Sequence, residues 1–202
     1  GLPPQGIEII ALLDRAKGFD TSAGDWTDAR VYRVRPDRNA TAIGSEILSE
    51  PGELNLGDAE VLGTFLGAAV KTFPARNHML VLWDHGGGRE SMANDHDAPG
   101  TPEGHDNLTL PELREGIEAG LKEAGLEKLD IVGFDMCLMA QLETAAELDD
   151  LADVMVASQA IEPGDGWPFN EILPALGKQT LGSRRIAQEI VRCYGRFYDE
   201  RE

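Results

Sequence analysis

Two short apolar runs, each ending in a reactive side chain, limit what this chain can fold into. The first is Met79-Leu80-Val81-Leu82-Trp83, followed by Asp84, His85 and three glycines. The second runs from Leu129 to Phe134 and is followed by Asp135, Met136 and Cys137. Apolar runs this short read as buried strands. Between them lies a helix signal: Thr109 to Glu112 form a capping box with Pro111 in the first turn, and Leu108 and Leu113 can staple it. Leu113, Ile117 and Leu121 then recur on one face until Gly125. Strands alternating with helices predict an α/β sandwich around a mostly parallel sheet. In such a sheet the loops at the carboxyl ends of adjacent strands open on one crevice. His85 and Cys137 are expected to face each other across it.

That pairing has a chemical meaning. A cysteine nucleophile needs a histidine that is distant in sequence and close in space. The residues Leu138 to Leu151 recur at helical spacing, so Cys137 reads as a strand-to-helix junction where the helix dipole favours the thiolate. Glycine after the histidine lets a substrate carbonyl approach the backbone. Taken singly, Cys137 reads as a small buried residue and His85 as a core or capping histidine. The two strands read together favour catalysis.

The rest of the chain fits around this centre. Ile7 to Leu13 reads as a buried strand ending at Asp14-Arg15, and Arg30 to Arg35 alternates polar and apolar like a strand near a sheet edge, stopped by Pro36. Asn39 to Gly57 reads as irregular. Asp58 can cap a helix whose apolar face includes Leu62, Phe65, Leu66 and Val70, with Pro74 as its stop. Gly86 to Asn107 reads as one long loop. Asp153 to Ser158 reads as a strand leading into a Gly/Pro-punctuated loop to Pro168, a short helix follows from Asn170 to Leu176, and Ser183 caps a last amphipathic helix.

Charge and cysteine usage narrow the function. With 36 acidic and 18 basic residues the formal charge is −18, which repels nucleic acid. Cys137 and Cys193 make no disulfide framework, and no apolar stretch is long enough to cross a membrane. A metal-dependent hydrolase using His78, His85, His96 and His105 lacks any HExxH or paired-Cys spacing, and a serine nucleophile lacks its GxSxG elbow. A non-catalytic scaffold that binds a partner chain is the other alternative, and the intact His85 and Cys137 argue against it.

Three segments carry a family likeness: Trp83-Asp84-His85-Gly86-Gly87-Gly88, Gly133 to Ala140, and Glu162-Pro163-Gly164-Asp165-Gly166-Trp167. In these the chain resembles the clostripain-like cysteine peptidases, relatives of the caspases, gingipains and legumains. The resemblance implies a caspase-like three-layer αβα sandwich and a His85–Cys137 dyad, with the backbone N–H groups of Gly86 and Cys137 as oxyanion donors. It implies cleavage after Arg or Lys, with no cofactor required. Asp135 lies two residues before Cys137 and so projects to the same side of the strand. With Asp165 it would line a pocket for a basic side chain, and both match the family's pocket acids. Each also reads as an ordinary capping or turn carboxylate. Ser158 and Gln159 could pair with substrate backbone. Arg89 is the one site in the Gly86 to Asn107 loop that a basic-specific enzyme could cut in self-activation. Asp95, Asp97 and Asp106 offer oxygen ligands for calcium, at a spacing unlike an EF-hand. Residues 1–202 read as a single peptidase domain that lacks the N-terminal strand and helix usual in the family, and the abrupt stop of its last helix leaves room for further sequence. A missing or processed segment of the same protein would then be a partner beside the polypeptide substrate, and the resemblance favours a secreted or cell-envelope location.

Overall fold

The computed structural model describes residues 6–37, 39, 41–177 and 181–199. In chain order the strands are Ile10–Leu13 (β1), Ala29–Arg33 (β2), Glu46–Gly52 (β3), Met79–Trp83 (β4), Met92–Asp95 (β5), Asp106–Leu108 (β6), Leu129–Asp135 (β7) and Ala152–Val156 (β8). The helices are Ala59–Thr72 (α1), Leu110–Ala124 (α2), Leu142–Leu148 (α3), Phe169–Leu176 (α4) and Ser183–Asp199 (α5). Among them β4, β7 and β8 form a parallel sheet with β7 in the middle.

The period of two along β7 sorts its side chains between two apolar layers. Val132 and Phe134 join Leu80 and Leu82 of β4 under Leu66 of α1, Leu113, Ile117 and Leu121 of α2, and Leu148 of α3. Ile131 packs on the opposite face with Val156, Trp167, Ile172 of α4, and Ala187, Ile190 and Cys193 of α5. Helices cover both faces of the parallel sheet, as the expected three-layer α/β architecture requires. Burial on both sides explains why β7 reads as a nearly continuous apolar run.

The helix signals act where expected. Asp58 accepts the N–H of Glu60 at the start of α1. The Thr109–Glu112 capping box is formed, and Gly125 closes α2 in the left-handed region at φ 70°. α1 and α2 approach closely through small residues. A Cβ at Gly116 would lie 2.9 Å from the Ala59 carbonyl oxygen, and one at Gly63 would lie 3.0 Å from the Ala119 Cβ.

β1, β2 and β3 form a separate antiparallel sheet in that order. This corrects two expectations. The strand from Arg30 is central in its sheet, not at an edge, and the stretch Asn39 to Gly57 contains β3. Six of the seven β3 residues are exposed, so no face alternates between apolar and polar, and the pattern that marks a half-buried strand is absent. Arginine–glutamate pairs bind this sheet's surface: Arg33 to Glu8 at 2.8 Å, Arg30 to Glu50 at 3.2 Å and Arg35 to Glu46 at 3.5 Å. The loop from Gly86 to Asn107 is also more ordered than its sequence reads, because β5 and β6 pair within it.

Candidate active site

The site is set by the register of β4 on β7. Trp83 pairs with Asp135 in the parallel ladder, so His85 and Cys137, each two residues further on, leave neighbouring strands at the same end. Their loops meet as backbone against backbone. A Cβ at Gly86 would collide with the Cys137 carbonyl oxygen and lie 3.0 Å from the Met136 Cβ, so only glycine permits this approach. The hairpin strand β5 holds the histidine loop from its other side. Ala93 N–H donates to the His85 carbonyl at 3.1 Å, and Gly87 N–H donates to the Ser91 carbonyl at 2.9 Å. His85 is exposed and Cys137 half-buried.

Cys137 sits in a tight turn and not at a helix N-terminus. α3 begins only at Leu142 and is seven residues long, which corrects the expected helix from Leu138 to Leu151. Leu138 takes a left-handed conformation at φ 62°, strained for a leucine. Two bonds hold it there: Leu138 N–H to the Ala160 carbonyl at 3.1 Å, and Ala140 N–H to the Ser158 carbonyl at 2.8 Å. These tertiary bonds override the helical periodicity of the sequence. The Glu162 backbone flanks the thiol, its N–H 3.3 Å from Cys137 Sγ and its carbonyl oxygen 3.9 Å away. Among the described residues, neither Gly86 N–H nor Cys137 N–H is engaged in a backbone hydrogen bond.

An acidic pair lies beside the thiol. Asp135 is only 3% exposed, and both its carboxylate oxygens accept the Trp167 N–H at 3.0 Å. Burial pushes its carboxyl above the usual aspartate range. Its partner is Glu162, which sequence reasoning passed over. Burial, and then repulsion from Asp135 with which it shares a hydrogen bond, pushes the Glu162 carboxyl up to about 7. Its Oε2 is buried without a hydrogen-bond partner. The only hint in sequence was its place at the head of the Pro163-Gly164 loop, since its burial depends on α5 and β7. Tyr194 of α5 stands nearby, its phenol pushed up to about 12 by burial and by these same acids.

The other expected residues scatter. Asp165 is exposed on the same loop. Ser158 spends its hydroxyl on a turn with Ala160, bonding both that residue's carbonyl and its N–H, whereas Gln159 is exposed. Arg89 is exposed in the turn after His85. Asp95 accepts the N–H groups of Leu56 and Asp97, Asp97 accepts Lys17 N–H, and Asp106 accepts the Asn55 amide. Among the described residues no three His, Cys, Asp or Glu side chains converge as metal ligands. His96 and His105 stack edge to face 5.7 Å apart, away from any such group.

The chain is similar to known cysteine peptidases. The model of the clostripain family, peptidase family C11, matches residues 3–202. Clostripain of Hathewaya histolytica is 26% identical over 183 residues, covering 82% of this chain and 35% of that protein. Among solved structures, a secreted C11 cysteine protease from Bacteroides thetaiotaomicron bound to an irreversible peptide inhibitor superposes with a TM-score of 0.67 at 24% identity, over 85% of this chain and 46% of that one. An inactive zymogen C11 protease from Parabacteroides distasonis gives a TM-score of 0.69 at 18% identity, over 98% and 49%. The chain therefore spans about a third of the curated relative and about half of the solved structures. With a family match over nearly its whole length, the chain belongs to the clostripain family.

Proposed function

We propose that this chain is the peptidase domain of a cysteine endopeptidase that hydrolyses peptide bonds after arginine or lysine. The observation that carries the reading is the β4–β7 register, which puts a histidine loop, a cysteine turn and a buried acid at one end of the parallel sheet. Cys137 Sγ attacks the scissile carbonyl, and His85 protonates the departing amine. Water then attacks the thioester, releasing the acid product and restoring the thiol. The unused N–H groups of Gly86 and Cys137 suit the oxyanion, where loss of one donor typically costs about 2.7–4 kcal/mol. Thiol and imidazole supply nucleophile and acid, so the reaction needs no cofactor.

Specificity follows from charge. A basic side chain entering beside Cys137 meets Asp135, with Asp165 at the rim, and the exposed Gln159 meets substrate backbone. Arg89, exposed four residues after His85, is the candidate self-cleavage point. The domain reading is also a proposal: the chain forms one catalytic domain. A secreted location accords with the relatives described as secreted.

Hydrolysis of two fluorogenic peptides, one with Arg and one with Asp at the cleavage position, tests the reading. Wild type should cut the Arg peptide alone, and Cys137→Ala should lose at least about a thousandfold in rate. Preference for the Asp peptide would remove Asp135 and Asp165 from the pocket. Equal turnover by Cys137→Ala would end the thiol mechanism. Activity that survives EGTA would exclude calcium at Asp95, Asp97 and Asp106.

A further inference from the structure

Beside Cys137 lie two carboxyl groups from different elements, Asp135 from β7 and Glu162 from the loop after β8, close enough for Asp135 to raise the Glu162 carboxyl by repulsion. Neither is a surface acid, and Asp135 is 3% exposed. Glu162 Oε2 is shut off from water without a partner, a costly position for an ionised oxygen. The same glutamate's backbone N–H and carbonyl flank Cys137 Sγ, so its side chain starts within a residue's width of the nucleophile. Gly166 lets the loop backbone pack directly on the Asp135 carboxylate, since a Cβ there would lie 2.9 Å from Asp135 Oδ1.

Among the described residues, the charged and titratable surroundings supply no cation for this pair. β7 and its turn contribute Asp135 and Cys137, and the loop contributes Glu162 and Asp165. α5 contributes Tyr194 and Tyr198, the latter donating its hydroxyl to the Gly166 carbonyl at 2.7 Å. Arg196 of α5 is taken by Glu171. Without a counter-charge, two like charges held this close and this dry ionise together only at raised pH.

We infer that Glu162 is the second acid of the basic-side-chain pocket, and that it and Asp135 share one proton when the pocket is empty and give it up when a cation enters. This rests on the basic-specific peptidase reading and deepens it. The proton passes to solvent, the incoming guanidinium or ammonium keeps its own, and the occupied pocket holds two carboxylates against one cation. A planar guanidinium, with donors along two edges, fits two carboxylates better than an ammonium does. A cation selects the ionised pair, so affinity rises with pH and levels off once the empty pair has lost its proton. The Glu162 carboxyl, raised to about 7 by burial and by Asp135, places that bend near neutrality.

Calorimetric titration of the protein with benzamidine, in two buffers of different ionisation heat, counts the proton directly. Wild type should release close to one proton per benzamidine at pH 6 and close to none at pH 8. Glu162→Gln, which keeps the backbone contacts to Cys137, should release none at either pH and bind benzamidine about tenfold more weakly at pH 8, the usual scale for losing one charge-assisted bond. Asp165→Asn should still release the proton. In hydrolysis of the Arg peptide, Glu162→Gln should act mainly through KM and lose the pH dependence of KM between 6 and 8. Thermal melts of each variant check that the fold is kept. Benzamidine binding without proton release, release unchanged in Glu162→Gln, or no benzamidine binding would each overturn the inference. The two proposals separate cleanly: release without cleavage of the Arg peptide sinks the peptidase reading and keeps the acid pair, whereas cleavage without release does the reverse.

Discussion

The two three-stranded sheets of this molecule are held by different physics. The β4-β7-β8 sheet lies between two apolar layers, and Ile131, Val132 and Phe134 at its centre are each no more than 1% exposed. The β1-β2-β3 sheet has no fully buried strand, and its outer strand β3 is bound to β2 by ion pairs over a solvated surface. The candidate catalytic residues all leave the first sheet. A reaction that needs a thiol and an imidazole held to within fractions of an ångström requires a support whose position is fixed by close packing. Surface ion pairs, each contributing about 0–1 kcal/mol, cannot supply that rigidity.

Truncation in each sheet gives the comparison its strongest test. Phe134→Ala should destabilise the protein by about 3–5 kcal/mol in urea unfolding, because its cavity opens between β7, α1 and α2. Peptide hydrolysis should fall with it, since Phe134 lies three residues before Cys137. A loss below about 1 kcal/mol would show that β7 is not the mechanical centre.

The acids at the end of β1 give an intermediate effect. Burial, with repulsion from Asp95 and Asp97, raises the Asp14 carboxyl to about 6, and burial with repulsion from Asp14 raises Glu53 to about 7. At these two groups the folded protein holds more protons than the unfolded chain between pH 4 and 7, so their contribution to stability is fullest at the acid end of that window and declines as pH rises through it. Glu53→Gln should flatten the fall of the melting temperature between pH 5 and 8 and raise it at pH 8. A melting-temperature difference between Glu53→Gln and wild type that does not grow with pH would contradict this burial. Arg35→Ala, which breaks an exposed pair with Glu46, should change stability least, by less than about 1 kcal/mol, and leave hydrolysis unaltered.

The same contrast explains what could be read from the sequence. β4 and β7 were legible because burial on both faces writes an apolar run, and the ends of those runs pointed to His85 and Cys137. The caps of α1 and α2 were legible because Asp58, Thr109 and Glu112 act within one turn of themselves. β3 was not, since an exposed strand leaves no alternation to find. The β5–β6 hairpin was missed because its pairing spans eleven residues and passes Ala93 at φ 53°. α3 was overextended because bonds from Ala160 and Ser158, unseen in local pattern, hold residues 138–140 in a turn. Glu162 stayed hidden for a related reason: its acidity is set by neighbours far from it in the chain.

The contact at Gly86 has a consequence for redesign. The histidine loop and the cysteine turn touch through main-chain atoms, so the spacing between them does not depend on the choice of any neighbouring side chain. The outer surface of such a protein can therefore be changed, its charge of −18 included, without moving the histidine loop against the cysteine turn. Whoever transplants this site to another scaffold must carry both loops as one piece, because neither one alone contains the measurement.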